Sequence, residues 1–93
     1  MLTNIVSVKY EDNYMPKTFG GKSYSYYINN NINVEIGDLV IAPTAYGEKI
    51  ARVSEIDIPE SKIISIKPYL KTINTKINKE QYLNSNEVLS EVA

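Results

Sequence analysis

The sequence predicts a mainly β fold, a small and strongly bent antiparallel barrel of five to six strands with a short C-terminal helix. Short apolar or alternating runs recur along the chain, and Gly, Pro or Asn residues separate them. The sum is five or six short strands with little helix. The chain has 93 residues, which suit one domain over residues 1–93 but are too few for two full packed sheets.

The most clearly defined element is a β-hairpin at the centre of the chain. Gly37-Asp38 has turn composition, and Leu39 to Ala42 is an apolar run of strand length. Residues 43–47 contain Pro, Thr and Gly, as loops do, and the apolar pattern resumes at Ile50. We expect the second strand of the hairpin to run from about Lys49 to Asp57.

Two strands are expected before the hairpin, separated by a polar loop. Ile5 to Tyr10 is rich in β-branched residues and alternates loosely. In Lys22 to Ile28, alternation puts Tyr24 and Tyr26 on one face and Tyr27 on the other.

The region after the hairpin has weaker signals. Ile63 to Ile66 fits either a short strand or the approach to a turn at Lys67-Pro68. A single helical turn and a last strand around residues 73–77 are expected next. Asn78, with Gln81 three residues later, has the pattern of a capping box. It predicts a helix from about Lys79 to Leu83, and we expect the tail after about residue 84 to be flexible.

Composition argues against several classes of function. The chain has no cysteine, which excludes disulfides and thiolate metal sites, and no histidine, the commonest general base. Neither a catalytic nor a metal-binding signature is visible, so we predict a protein that is not an enzyme and has no cofactor and no metal.

The apolar runs are far shorter than the ~20 residues of a membrane-spanning helix. The N-terminus lacks the features of a signal peptide, so a cytoplasmic location without membrane contact is expected.

Charge is unevenly distributed although the net charge is only −1. The segment from Lys49 to Lys79 contains seven basic and three acidic residues. This segment is either a basic binding face or an ordinary solvated lysine surface.

The central pattern also resembles that of known families. Lys22-Ser23-Tyr24-Ser25-Tyr26-Tyr27 is followed by Ile36-Gly37-Asp38-Leu39-Val40-Ile41-Ala42-Pro43-Thr44, then by Gly47 and Lys49-Ile50-Ala51-Arg52-Val53. This order is similar to that of small phage and prophage proteins from low-GC bacteria, and the A/T-rich codons of Ile, Asn, Lys and Tyr agree with such a source. It also resembles KOW-like and Tudor-like barrels and the N-terminal DNA-binding domain of the primosomal helicase. The resemblance covers residues 5 to 57 and implies a small β-barrel more than an activity.

Seven residues are candidates for binding. Tyr24, Tyr26 and Tyr27 belong to an unusually tyrosine-rich chain, with eight tyrosines and no tryptophan. Aromatic rings on a sheet face stack on bases or anchor protein partners, but they also serve as cross-strand packing. The other four lie in or beside the hairpin loop, where a phosphate or a partner could bind, although a β-turn alone accounts for the loop. They are Thr44, Tyr46, Lys49 and Arg52.

These features predict a non-enzymatic interaction module. The favoured partner is a host or phage protein, and the resemblance implies an accessory or anti-defence role in a phage or mobile element. Two alternatives stay open, namely nucleic-acid binding by tyrosine stacking and a basic edge, and sequestration of a small nucleotide signal. A homodimer is also compatible with the sequence.

Overall fold

The computed structural model describes residues 3–84 as one mixed β-sheet with two 3₁₀ turns and a short helix. The strands are Ile5–Glu11 (β1), Phe19–Ile28 (β2), Leu39–Thr44 (β3), Gly47–Glu55 (β4), Thr72–Ile73 (β5) and Thr75–Ile77 (β6). The 3₁₀ turns are Glu60–Lys62 and Lys67–Tyr69, and helix α1 covers residues 79–84. The expected flexible tail lies outside the described residues.

The six strands are arranged in the order β5-β2-β1-β4-β3-β6. All neighbours are antiparallel except β5, which runs parallel to β2. The pairing of β1 shifts register with both of its neighbours, between Lys9 and Glu11 against β2 and between Ser7 and Val8 against β4. Such irregularities increase the bend and twist of a strand, so β1 is a point at which the sheet curves.

The main core lies on one face of the sheet, which we call the inner face. Directly opposed residues share a face, and the register opposes Val8 to both Tyr24 and Val53 and opposes Val6 to Tyr26. The buried residues of this core are Val6, Val8, Tyr26, Ile28, Val34, Val40, Ala42, Ala51, Val53 and Ile73. Small and β-branched side chains dominate the list, which suits the tight interior of a curved sheet.

A second cluster covers the opposite, outer face. Ile5 alternates with Val6 and therefore points away from the main core. Ile58 and Ile63, from the chain after β4, pack on Ile5, and Tyr27 and Leu70 join them. Ile63 thus precedes a turn and belongs to no strand, so the alternative of a short strand at residues 63–66 is wrong.

The two edges of the sheet are occupied by neighbouring parts of one short segment. Ile73 of β5 pairs with Ile28 of β2, and Thr75 of β6 pairs with Ile41 of β3. Only Asn74 separates β5 from β6, and its side chain accepts a hydrogen bond of 2.9 Å from the Asn29 amide. The sheet therefore curls far enough for one extended segment to contact both edges.

The predicted helix cap agrees with the structure, and a second side-chain cap lies in the turn before β3. The N–H of Gln81 donates to the Asn78 side chain at 3.0 Å, which confirms Asn78 as the N-cap of α1. The Asp38 carboxylate accepts from the N–H of Glu35 at 2.8 Å and lies 3.2 Å from the Lys76 ammonium. Asp38 therefore fixes the turn before β3 and also ties that turn to β6.

The predicted fold class is confirmed in its coarser features and corrected in others. A mainly β chain with six strands and one short helix is present, and a 3₁₀ turn precedes the last strands as expected. The sheet is mixed rather than antiparallel, because β5 follows β2 in the same direction. The pairings among residues 3–84 do not close the sheet into a barrel. Strand β2 begins at Phe19 rather than Lys22, so the preceding loop is shorter than expected.

Candidate binding groove

A groove of about 400 Å³ lies between the free part of the β2 edge and the end of β3. Strand β5 pairs with only the last two residues of β2, and β6 pairs with Leu39 to Ile41 of β3. The rest of both edges diverges, and the groove fills the space between them. Its lining residues are Tyr10, Ser23, Tyr24, Ser25, Tyr26, Pro43, Thr44, Ala45, Ile66, Tyr69, Leu70 and Lys71.

A chain of two hydrogen bonds connects the strands at the floor of the groove. The Tyr26 hydroxyl donates to the carbonyl oxygen of Pro43 at 2.8 Å and lies 2.5 Å from the Tyr10 hydroxyl. A phenol has one proton to donate, and Tyr26 uses it on Pro43, so Tyr10 must be the donor to Tyr26. The result is a relay that joins β1, β2 and β3 across the gap.

The Tyr10 and Tyr24 rings form a stacked pair above this floor. Their centroids are 4.4 Å apart and their planes differ by 15°. The Lys49 ammonium lies 5.5 Å from the Tyr10 centroid, within the range of a cation–π contact. Tyr24 stays exposed while Tyr10 is half-buried, so the stack presents one aromatic ring to an incoming ligand.

The opposite wall of the groove comes from the second 3₁₀ turn and the residues beside it. Ile66 and Tyr69 are exposed, Tyr69 by 80%, and Leu70 is half-buried because it also packs on the outer cluster. Pro68 fits the start of this turn because its fixed φ suits a first helical position. The wall is thus apolar and aromatic, with Lys71 as the charged residue among those that line the groove.

Two tyrosine hydroxyls have pKa values above their ordinary value of 10.0. Burial is the main cause for Tyr26, and the hydrogen bond with Tyr10 raises its pKa further. Desolvation and the hydrogen bond to Glu11 raise the pKa of Tyr82 to about 12. The Tyr82 hydroxyl donates to Glu11 Oε2 at 2.5 Å and attaches α1 to the end of β1. Both hydroxyls are neutral donors at physiological pH, and neither is prepared to act as a base.

The structure brings some of the predicted site residues together and separates others. Tyr24, Tyr26 and Thr44 line the groove, and Lys49 lies beside it. Tyr26 is buried and structural, and the Thr44 hydroxyl is used within the hairpin turn, donating to the carbonyl of Gly47 and accepting from the N–H of Tyr46.

The other three predicted residues lie away from the groove. Tyr27 is on the outer face and packs against the second cluster. The Arg52 guanidinium lies 5.8 Å from the Phe19 ring centroid, on the far side of the sheet. Tyr46 is at the hairpin tip and is 98% exposed.

Sequence reasoning did not assign Ile66, Tyr69, Leu70 and Lys71 to the site. The Lys67-Pro68 signal predicted a turn there, but its spatial neighbours depend on β5 pairing with β2. One signal in the sequence could have identified them. Ile66, Tyr69 and Leu70 are apolar or aromatic residues in a turn region, and exposed residues of this kind often mark a binding surface.

Other site classes find no support among the described residues. No group of three or more carboxylates there is arranged to hold a metal ion. None of the helices in residues 3–84 has the length and apolar character to cross a bilayer.

Comparisons with family models, curated proteins and solved structures found no match to the chain. The groove must therefore be interpreted from its own geometry.

Proposed function

We propose that this protein is a non-enzymatic interaction module that binds a protein partner in the groove between β2 and β3. The observation that carries the proposal is an exposed aromatic and aliphatic surface around a preformed concavity. Tyr24 and Tyr69 are exposed on opposite walls, with Ile66 beside Tyr69. Tyrosine anchors are enriched at protein interfaces because they bury much area for little conformational entropy.

The chemistry of the groove supports binding rather than catalysis. Its lining residues contain no carboxylate, and the one buried hydroxyl, that of Tyr26, has both of its hydrogen bonds satisfied within the protein. General-base catalysis needs a proton-accepting side chain within reach of the substrate, and nucleophilic catalysis needs such a base beside the nucleophile. The groove offers apolar contact area, hydroxyls and one ammonium group.

We further propose the finer assignments that the sequence suggested. The curved sheet would form a small barrel. This assignment is supported by the closeness of its two edges, because only Asn74 separates the segment that pairs with β2 from the segment that pairs with β3. The likeness to small phage proteins supports a phage or mobile-element accessory in the host cytoplasm. The partner would then be a host or phage protein, and an anti-defence role would follow from blocking a host complex.

Nucleic-acid binding is the second candidate, and the stacked Tyr10–Tyr24 pair beside Lys49 is the observation that favours it. Base stacking on an exposed aromatic ring is worth roughly 1–3 kcal/mol per base. This function predicts an affinity for single-stranded or double-stranded DNA or RNA that falls steeply with salt. Undetectable binding at about 50 mM salt would refute nucleic-acid binding.

Sequestration of a small nucleotide signal predicts instead a co-purifying ligand that absorbs ultraviolet light.

The decisive experiment compares two exposed tyrosines by photo-crosslinking in the native host. A photoreactive phenylalanine analogue would replace either Tyr69, in the groove wall, or Tyr14, which is 93% exposed and is not a groove residue. We expect one protein to crosslink at position 69 and not at position 14.

The affinity of that partner then tests the groove quantitatively. Tyr69→Ala and Tyr24→Ala should each weaken binding by roughly 30-fold, the effect of losing an interface hot spot, whereas Tyr14→Ala should leave it unchanged. A partner that tolerates both groove substitutions, or that depends on Tyr14, would refute the proposal.

A further inference from the structure

The β2 edge that borders the groove has main-chain groups free to pair. The N–H of Tyr27 points to the β5 side, where it donates to the Lys71 carbonyl, and the N–H of Ile28 points to the β1 side. Because these directions alternate along a strand, Ser23 and Ser25 direct their N–H and C=O groups at the groove. None of these four groups has a hydrogen-bond partner among the residues that the structure describes.

The facing part of β3 has no such capacity. Its Pro43 has no N–H, and the Pro43 carbonyl already accepts from Tyr26. Proline at a free edge is a known protection against unwanted strand pairing. The two edges of the groove therefore differ, since one is blocked and the other presents unsatisfied donors and acceptors.

The walls of the groove define what would pair with β2. Side chains of an added strand alternate between the two faces of the sheet, so every second one would enter the groove and contact Tyr24, Tyr69 and Leu70. The lining has one ammonium group, that of Lys71, and no carboxylate, and Lys49 lies close by. Apolar side chains at alternate positions and net negative charge complement this surface.

We propose that the groove binds an extended acidic peptide segment, which adds to the β2 edge as a further strand. This proposal rests on the proposed function and specifies its partner as an unfolded or loop segment of another protein. Strand addition to an exposed edge is a general mode of peptide recognition, in which main-chain hydrogen bonds provide affinity and pockets for alternate side chains provide specificity. About five peptide residues would cover the roughly 16 Å of β2 from Gly21 to Ser25.

A second copy of the chain is a less suitable occupant. Pairing two β2 edges would bring two folded sheets together, and each edge lies between the 3₁₀ wall at Tyr69 and the hairpin end at Ala45. A single strand with free flanks enters such a slot, whereas a strand that is already part of a sheet carries its neighbours with it.

The test starts from a displayed library of random ten-residue peptides selected on the intact chain. We expect the selected peptides to be acidic and to carry apolar residues at alternate positions. One of them is then resynthesised with a single N-methyl group at each position in turn. Strand addition predicts that methylation weakens binding by roughly fivefold to tenfold at every second residue, since only those N–H groups face β2, and has little effect between them.

Variants of the protein complete the test. Ser25→Pro removes one N–H that faces the groove without removing a bond to β1, and should weaken binding by a similar factor. Ser25→Ala keeps that N–H and measures the loss of the side chain alone, so Ser25→Pro should bind more weakly than Ser25→Ala. If Ser25→Pro fails to fold, the methylation series still decides the question on the unaltered protein.

Three results would overturn the inference. Peptides that bind with no alternating methylation effect would show side-chain docking, which refutes strand addition but leaves the proposed function standing. Failure to select any peptide would refute a peptide occupant, and crosslinking at Tyr69 would still test the groove itself. A dimer in sedimentation equilibrium that dissociates in Ser25→Pro would assign the edge to self-association.

Discussion

The relay from Tyr10 through Tyr26 to Pro43 makes a quantitative prediction about stability. Tyr26→Phe keeps the buried ring, so no cavity forms, but it removes the donor to the Pro43 carbonyl and the acceptor for the Tyr10 hydroxyl. A buried group left unpaired costs about 1–3 kcal/mol. Because Pro43 and Tyr10 are half-buried and partly reach water, we expect a loss of about 1.5 kcal/mol.

The measurement is equilibrium unfolding by urea, supported by thermal melts. For a chain of this length, a loss of about 1.5 kcal/mol lowers the Tm by roughly 6–12 °C. The urea m-value should not change, because the surface exposed on unfolding is the same. The matched control is Tyr24→Phe, since the Tyr24 hydroxyl makes no hydrogen bond to another described residue and its ring keeps the stack on Tyr10. We expect that control to change stability by less than about 0.5 kcal/mol.

A double-mutant cycle tests the relay itself. If Tyr10 donates to Tyr26, then Tyr10→Phe and Tyr26→Phe remove one shared bond, and their combined effect should be smaller than the sum by at least about 0.5 kcal/mol. Equal stability of Tyr26→Phe and Tyr24→Phe, or strict additivity in the cycle, would refute the reasoning.

Three further predictions concern pH, the outer cluster and the hairpin turn. The folded pKa of Tyr26 lies above the unfolded value of 10.0, so the stabilisation by its protonated hydroxyl is complete below pH 10 and is lost as the pH rises above 10. The unfolding free energy should therefore fall less steeply between pH 10 and 11.5 in Tyr26→Phe than in the wild type. Ile63→Ala should cost about 2–5 kcal/mol in urea unfolding, whereas Ile64→Ala, at a side chain 74% exposed, should cost almost nothing. Gly47→Ala should cost about 1–2 kcal/mol because Gly47 has φ of 114°, and Gly20→Ala, which has no positive φ and no close neighbour, is its control; equal effects would argue against backbone strain.

The hairpin and the helix start were predictable because local chemistry determines them. Gly37 and Gly47 both adopt a positive φ, which other residues rarely do, and so they mark the ends of β3. Asn78 caps α1 through a contact three residues away. Each of these signals acts within a few residues, and a single sequence displays such signals directly.

The pairing of β5 with β2 could not be predicted, and most of the groove depends on it. A strand of two residues has no measurable alternation, and its partner at Tyr27-Ile28 lies more than forty positions earlier. The same limit applies to the tyrosines. Alternation separated Tyr26 from Tyr27 correctly, but the exposure of Tyr24 depends on where the neighbouring strands end, which is a property of the assembled sheet.

The contact of one segment with both sheet edges has a consequence for the order of folding. The hairpin β3–β4 forms from local contacts, but Tyr27-Ile28 of β2 and Leu39 to Ile41 of β3 acquire their edge partners only when residues 72–77 arrive. Contacts of such long sequence separation are slow to form, and open strand edges are prone to aggregate. During synthesis, a nascent chain that ends at Leu70 therefore presents two unprotected edges. The six residues around Asn74 thus cover parts of both edges late in folding, and until then those parts are open to pairing with other chains.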